Sequence, residues 1–153
     1  MAHTRFLPEL SEKEMLEFLD EERVGRLGLN DDPQPYVVPT DFAYMDGVIY
    51  IHSPREGKKS ELARKYPHVC FEVDKYNAGI TEYRSVIIRG DIEEVVDEPG
   101  KRDAMRALAR KAASSPGWHA HPGGKGQERS PISIFRIGVR EMTGVKSPNG
   151  GHP

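Results

Sequence analysis

Along the chain, short runs of alternating apolar and polar positions are separated by turn chemistry, and three stretches of helical period lie between them. SEKEMLEFLDEE sets Ser11 and Glu14 at capping-box spacing and puts Met15, Leu16 and Leu19 on one face. RVGRLGL alternates next, and its Gly25 and Gly28 forgo packing area unless another backbone or a ligand comes close. NDDPQ is a turn by chemistry. PYVVPTDFAY is a strand with Pro39 inside it, which requires an edge, a bulge or a bend at that point. MDG joins it as a hairpin to VIYIHS.

GKKSELARKY has the composition of a short helix that stops at Pro67. HVCFEVD follows as a strand with Val69, Phe71 and Val73 on one face, and YRSVIIRGDIEEVVD as a long strand whose central Gly90 suits a bulge or barrel corner. EPGKRDAMRALARKAA spaces Met105, Leu108, Ala109 and Ala112 as a helix does. A Gly- and Pro-rich loop, SSPGWHAHPGGKGQERSP, leads to a last strand, ISIFRIGVREMTGVK, and SPNGGHP reads as a disordered tail. The expectation is one domain over residues 1–146 with a tail at 147–153. Six strands without βαβ alternation make it mainly β, a small antiparallel β-barrel with flanking helices.

The 153 residues suffice for one real core. A net charge of −2 argues against a nucleic-acid binder or a polybasic membrane binder. The single Cys70 lies in an apolar run and reads as a buried small hydrophobe, in keeping with a reducing cytoplasm. With no leader and no membrane-length apolar stretch, the expected location is cytoplasmic.

Several chemistries drop out. There is no GxSxG or HExxH, and one cysteine cannot supply a zinc-finger set. GKKS imitates the end of a P-loop, but His52 stands where its first Gly belongs and Lys59 where its Ser/Thr belongs. His119 and His121 in WHAHP offer two metal ligands but no third, so no metal site is assigned. Trp118 beside them either packs on a flat group or anchors the loop. What remains is GVIYIHSPREGKKSELARKY. Its His52, Ser53, Arg55, Lys58 and Lys59 gather at the end of a strand and the start of a helix. Ammonium groups, a hydroxyl and free helix N–H groups make a phosphate site; a plain solvated helix start is the alternative. The strand broken by Pro39 would set backbone groups beside this turn, suited to the polar edge of a planar heterocycle.

Taken together, VPTDFAY, IHS with GKK and EL, PHVCFEVD and SVIIRG, in that order, resemble the flavin-binding split-barrel proteins related to pyridoxamine 5′-phosphate oxidase. The nearest branch is the nitroimidazole-resistance type, and the likeness runs from about Arg23 to Lys146. It implies a homodimer of six-stranded antiparallel split barrels with FMN between the subunits. On that resemblance Lys58 and Lys59 hold the FMN phosphate with help from Ser53, and Pro39, Thr40, Asp41 and Phe42 line the isoalloxazine ring. His52 lies close to the flavin as the candidate catalytic residue, and Ser85 and Trp118 approach from the dimer side. The substrate-reading C-terminal residues of true pyridoxamine phosphate oxidases are not recognisable, so vitamin B6 oxidation is not inferred. Three classes stay open: an FMN-dependent oxidoreductase of a small organic acceptor (with a deazaflavin user as a variant), a non-catalytic flavin store or sensor, and a haem-binding or haem-degrading protein using His119 and His121.

Overall fold

The computed structural model describes residues 6–114 and 131–149. Ten elements follow in chain order: α1 (Glu12–Glu21), β1 (Val24–Leu29), β2 (Tyr36–Asp41), β3 (Ala43–Met45), β4 (Val48–Pro54), α2 (Lys58–Lys65), β5 (His68–Tyr76), β6 (Tyr83–Glu94), α3 (Glu98–Ala113) and β7 (Ile132–Lys146). The strands form one antiparallel sheet in the order β2-β1-β5-β6-β7-β4-β3. Its two outermost strands, β2 and β3, are consecutive in sequence and separated only by Phe42. The sheet therefore curls on itself, and the chain leaves one edge to rejoin at the other. The seven strands are the six expected ones, with PYVVPTDFAY broken in two at Phe42.

Phe42 marks the change of partner. Its N–H bonds to the Arg23 carbonyl at 3.3 Å, ending the β1–β2 ladder, and from Ala43 onward the strand pairs with β4. The Phe42 ring is 2% exposed and meets the edge of Phe71, with centroids 5.1 Å apart. Around this pair the inward positions close the core: Leu27 and Leu29 from β1, Val69 and Val73 from β5, Val86 and Ile88 from β6, Phe135 and Ile137 from β7, Ile49 and Ile51 from β4. Cys70 falls on the opposite parity to Val69 and Phe71 and is exposed, so it is not the buried hydrophobe expected from its apolar surroundings.

The glycines of β1 do meet close neighbours, but these come from the chain itself. A Cβ on Gly25 would lie 2.3 Å from the Phe71 ring, and one on Gly28 2.5 Å from Cys70 Sγ. Gly90 sits where β6 shifts register against β7, as expected, and a Cβ there would strike the Gly138 carbonyl. The hairpin at MDG turns through Asp46 and Gly47, both at positive φ (50° and 81°), as a two-residue primed turn requires.

The helices pack on the outside. The capping box of α1 forms as expected, and Lys146 bonds the same Glu14 carboxylate at 2.9 Å. The Ser11 N–H, then Lys146, hold that carboxyl down at a pKa of about 2. The buried face of α1 is Met15, Phe18 and Leu19; Leu16 is only partly covered. On α3 the buried residues are Gly100, Ala104, Ala107 and Lys111, while Met105 is 57% exposed. The expected α3 face is thus rotated, because small residues let the helix come close to Ala43 and Tyr50 on the outside of β3 and β4. Ser147 is buried and exchanges two bonds with Tyr83, from its N–H to the Tyr83 carbonyl at 2.9 Å and from the Tyr83 N–H to its Oγ at 3.2 Å. The packed chain therefore runs one residue past the expected boundary at 146. No helix among the described residues is long and apolar enough to cross a membrane.

Lys111 locks α3 to α1. Its ammonium donates to the Leu19 carbonyl at 2.6 Å, at the end of a helix with no basic residue in its last turn, and lies 4.6 Å above the Phe42 ring. Burial pulls its pKa down to about 8 from an ordinary 10.5. Between those values the unfolded chain binds a proton that the folded chain has released, so stability contributed by this group rises with pH across the window. Urea unfolding at pH 8 and pH 10.5 should show wild type gaining on Lys111→Met at the higher pH. Phe42→Ala should cost about 3–5 kcal/mol in the same measurement, the usual range for a buried phenylalanine.

Candidate functional site

Because the Phe42 N–H points to β1, alternation turns the backbone groups of Thr40, Val38 and Tyr36 the same way. Val37, Pro39 and Asp41 then turn theirs to the free edge, where the proline's missing N–H breaks no ladder bond. Across from this edge, β4 pairs with β3 only through Val48–Tyr50, so the side of β4 from Ile51 to Pro54 that faces β2 is free as well. The barrel is split between these two edges.

The first turn of α2 bridges the split. Lys59 Nζ reaches Thr40 Oγ1 on β2 at 3.5 Å, and Ser60 Oγ, fully buried, donates to Ser53 Oγ on β4 at 3.0 Å and also approaches the Pro54 carbonyl. Gly57 precedes the helix at φ 130°, which favours glycine, and no side chain caps the α2 N-terminus. Among the described residues, an added Cβ on Gly57 would meet nothing within 4 Å.

The two lysines differ. Lys58 is exposed, bonds Asp31 at 2.9 Å and lies 4.9 Å over the Tyr36 ring; the hydrogen bond to Asp31 raises its pKa. Lys59 is half-buried, and burial lowers its pKa, opposed only by the more distant Asp41 charge. Among the described residues no carboxylate comes within ion-pair distance of Lys59 Nζ. A half-buried ammonium beside a hydroxyl and a helix start without a side-chain cap is an arrangement that an anion would complement.

Arg64, on the last turn of α2, fixes the approach to this turn. Its guanidinium bonds Glu94 at 2.7 Å, the Arg55 carbonyl at 2.9 Å and Ser133 Oγ at 3.1 Å, and the Arg55 N–H donates to the Pro131 carbonyl at 2.8 Å. Glu94 is held below its usual range chiefly by that Arg64 bond.

The family pattern described as pyridoxamine 5′-phosphate oxidase matches residues 11–146, nearly the whole of this architecture. The chain belongs to that family. Among solved structures it is similar to a FAD-binding protein of Mesorhizobium loti, 32% identical, with 92% of this chain and 96% of that one covered at a TM-score of 0.72. It shares its fold with a candidate 5-nitroimidazole antibiotic resistance protein of Bacteroides thetaiotaomicron, 22% identical, with 95% of each chain covered at a TM-score of 0.68. A Rhizobium meliloti protein of uncharacterised role is 27% identical over 127 residues, 79% of this chain and 82% of that one.

Within this pyridoxamine 5′-phosphate oxidase relative, the expected site residues divide. Thr40, Ser53, Lys58 and Lys59 come together around the α2 start, with Pro39 and Asp41 on the adjoining edge. The Phe42 side chain does not line an open surface, because it is consumed by the core, as is the Ser53 hydroxyl beneath Ser60. His52 alternates with Ser53 and sits on the other side of β4, opposite Ile134 and on the face where Tyr50 packs toward α3. Ser85 lies on β6 opposite Asp74, separated from β2 by β1 and β5, so one chain does not bring it to the split. Trp118, His119 and His121 lie outside the described residues. Asp31, Tyr36 and Arg64 were not anticipated; NDDPQ signalled only a turn, and nothing local in GKKSELARKY distinguishes Arg64 from a solvated helix charge.

If Ser60 ties the split together, Ser60→Ala strands the buried Ser53 hydroxyl. The expected loss is about 1–3 kcal/mol in urea unfolding, with Ser60→Thr closer to wild type than alanine.

Proposed function

We propose that the split holds the riboflavin 5′-phosphate unit of a flavin, FMN itself or the flavin half of FAD. The observation that carries this is the half-buried Lys59 ammonium at the start of α2, with no carboxylate among the described residues within ion-pair distance. The residues present fit the group. Lys59, Thr40 Oγ1 and the first N–H groups of α2 would take the phosphate, with Lys58 reaching it once released from Asp31. The free backbone edge at Val37, Pro39 and Asp41 would meet the polar rim of the ring, so that Pro39 and Asp41 of the expected set would serve through main chain, Thr40 through its hydroxyl, and Phe42, whose N–H is spent on Arg23, only by shaping the edge. Bound flavin supplies two-electron chemistry, and the chain supplies binding, orientation and charge.

The activity proposed is a flavin-dependent oxidoreductase of the nitroimidazole-reductase type, acting on a small organic acceptor. Support comes from the family match and from the similarity to the FAD-binding Mesorhizobium loti protein. His52, half-exposed at the free end of β4, is the proposed proton donor. A homodimer is part of the same reading. Val24, Val37 and Ile87 lie 47%, 64% and 48% exposed on the outer face of β1, β2 and β6, and Ser85 shares that face. A second copy laid there would cover them and carry its Ser85 toward this chain's split.

The test is the visible spectrum of the purified chain, followed by FMN titration of stripped protein. A flavin spectrum and saturable FMN binding are expected. Lys59→Ala should weaken FMN by about 1.5–3 kcal/mol, the range for a hydrogen bond to a charged group. Lys58→Ala should weaken it less, since Asp31 already holds that ammonium. Equal FMN affinity in wild type and a Lys58/Lys59 double alanine variant would sink the phosphate assignment, and a haem band would replace it. His52→Ala is expected to keep FMN affinity and lose acceptor turnover.

A further inference from the structure

We infer that Asp31 regulates the proposed site as a built-in competitor of the flavin phosphate, its carboxylate holding the Lys58 ammonium that the phosphate must take over; this rests on the flavin-phosphate reading above. Asp31 Oδ2 stands 2.9 Å from Lys58 Nζ. It therefore claims one of the two ammonium groups at the α2 start, a helix end that has no side-chain cap of its own. Two aspartates act on these lysines, and they act differently. Asp41 opposes the burial of Lys59 as a charge without an ion pair, whereas Asp31 is hydrogen-bonded to Lys58 and raises its pKa.

The contact is built to exchange. Lys58 is 56% and Asp31 35% exposed, so water rehydrates both groups when they part and the pair itself adds little to stability. The turn that carries Asp31 does not depend on the pair. The Asp31 carbonyl accepts from the Gln34 N–H at 2.8 Å, and the Asn30 side chain ties the end of β1 to the His68 carbonyl at 3.2 Å. The carboxylate can thus leave by side-chain rotation while the main chain stays. Lys58 keeps a hold of its own, because its ammonium also lies 4.9 Å over the Tyr36 ring at the head of β2. A phosphate monoester carries about −1.5 to −2 charges at pH 7, more than the single charge of the carboxylate. It can therefore take Lys58 from Asp31, but its affinity is lower than the two lysines alone would give. A flavin without a phosphate does not enter this competition.

The experiment titrates the stripped chain separately with FMN and with riboflavin, for wild type, Asp31→Asn and Asp32→Asn. Asp32 is the exposed neighbour in the same turn and is not an ion-pair partner of Lys58, so its variant removes equal charge without freeing that ammonium. Asp31→Asn is expected to bind FMN about two- to fivefold more tightly than wild type, the range set by an exposed ion pair. Asp32→Asn should stay near wild type, and riboflavin should bind all three alike. In a Lys58→Ala background the gain from Asp31→Asn should vanish. FMN affinity unchanged or weakened in Asp31→Asn, an equal gain in Asp32→Asn, a gain shared by riboflavin, or one that persists without Lys58, overturns the competition and leaves the phosphate site standing. A wild type that holds FMN no more tightly than riboflavin overturns both.

Discussion

The switch of strand partner at Phe42 is the constraint on which the rest of the molecule depends. One continuous run of sequence must pair with β1 at one edge of the sheet and with β4 at the other. A strand cannot do this while keeping a single ladder direction. The break is held by a buried ring against Phe71 below and the Lys111 ammonium above. Because β3 is only three residues long, β4 is paired on that side for only its first half, and two unpaired backbone edges are left facing each other. Unpaired edges are normally a liability that a protein covers. Here the start of α2 covers part of the gap through Lys59 and Ser60, the Asp41 carbonyl accepts from Thr40 Oγ1 at 3.1 Å, and the rest of the two edges has no strand partner among the described residues.

The charge distribution follows from the same geometry. Lys58 and Lys59 are neighbours in sequence, yet helical geometry sends one outward to Asp31 and Tyr36 and the other into the split. Burial disfavours the charged form of Lys59, and the Asp41 charge offsets this only in part. In the proposed reading a phosphate would reverse that imbalance. Arg64 shows the opposite arrangement, with its donors already committed to Glu94, the Arg55 carbonyl and Ser133. It holds the turn in place and has little left for an anion.

Much of this was legible in the chain. Ser11 and Glu14 announced α1, Asp46-Gly47 the hairpin, Gly90 the bulge, and Pro39 an edge, because each reflects a local rule of backbone geometry. The motif order carried the family, and the basic turn named residues that the fold gathers at the α2 start. Side-chain facing was harder. Cys70 was misplaced because hydrophobic neighbours said more than strand parity, although the parity was visible in Val69, Phe71 and Val73. Met105 was misplaced because the helical period fixes which residues share a face but not which face is inward. The inward one proved to be the small one, set by how closely α3 approaches β3 and β4. Asp31, Tyr36 and Arg64 act through tertiary proximity and leave no local signature.

His52 and Ser53 show how far adjacency in sequence can mislead about a site. Both stand on the part of β4 that β3 does not pair, yet pleating places the Ser53 hydroxyl in the interior under α2 and the His52 ring on the outside, across from Ile134 of β7. The phosphate-side groups and the proposed proton donor therefore reach a common ligand only around the strand edge, not through the barrel. A flat ligand laid along that edge touches both faces at once, whereas a compact one seated inside would meet Ser53 and Lys59 but never His52. On the proposed function, an extended planar group with an anionic tail would suit the split, because that shape would span the polar groups the partner switch leaves exposed.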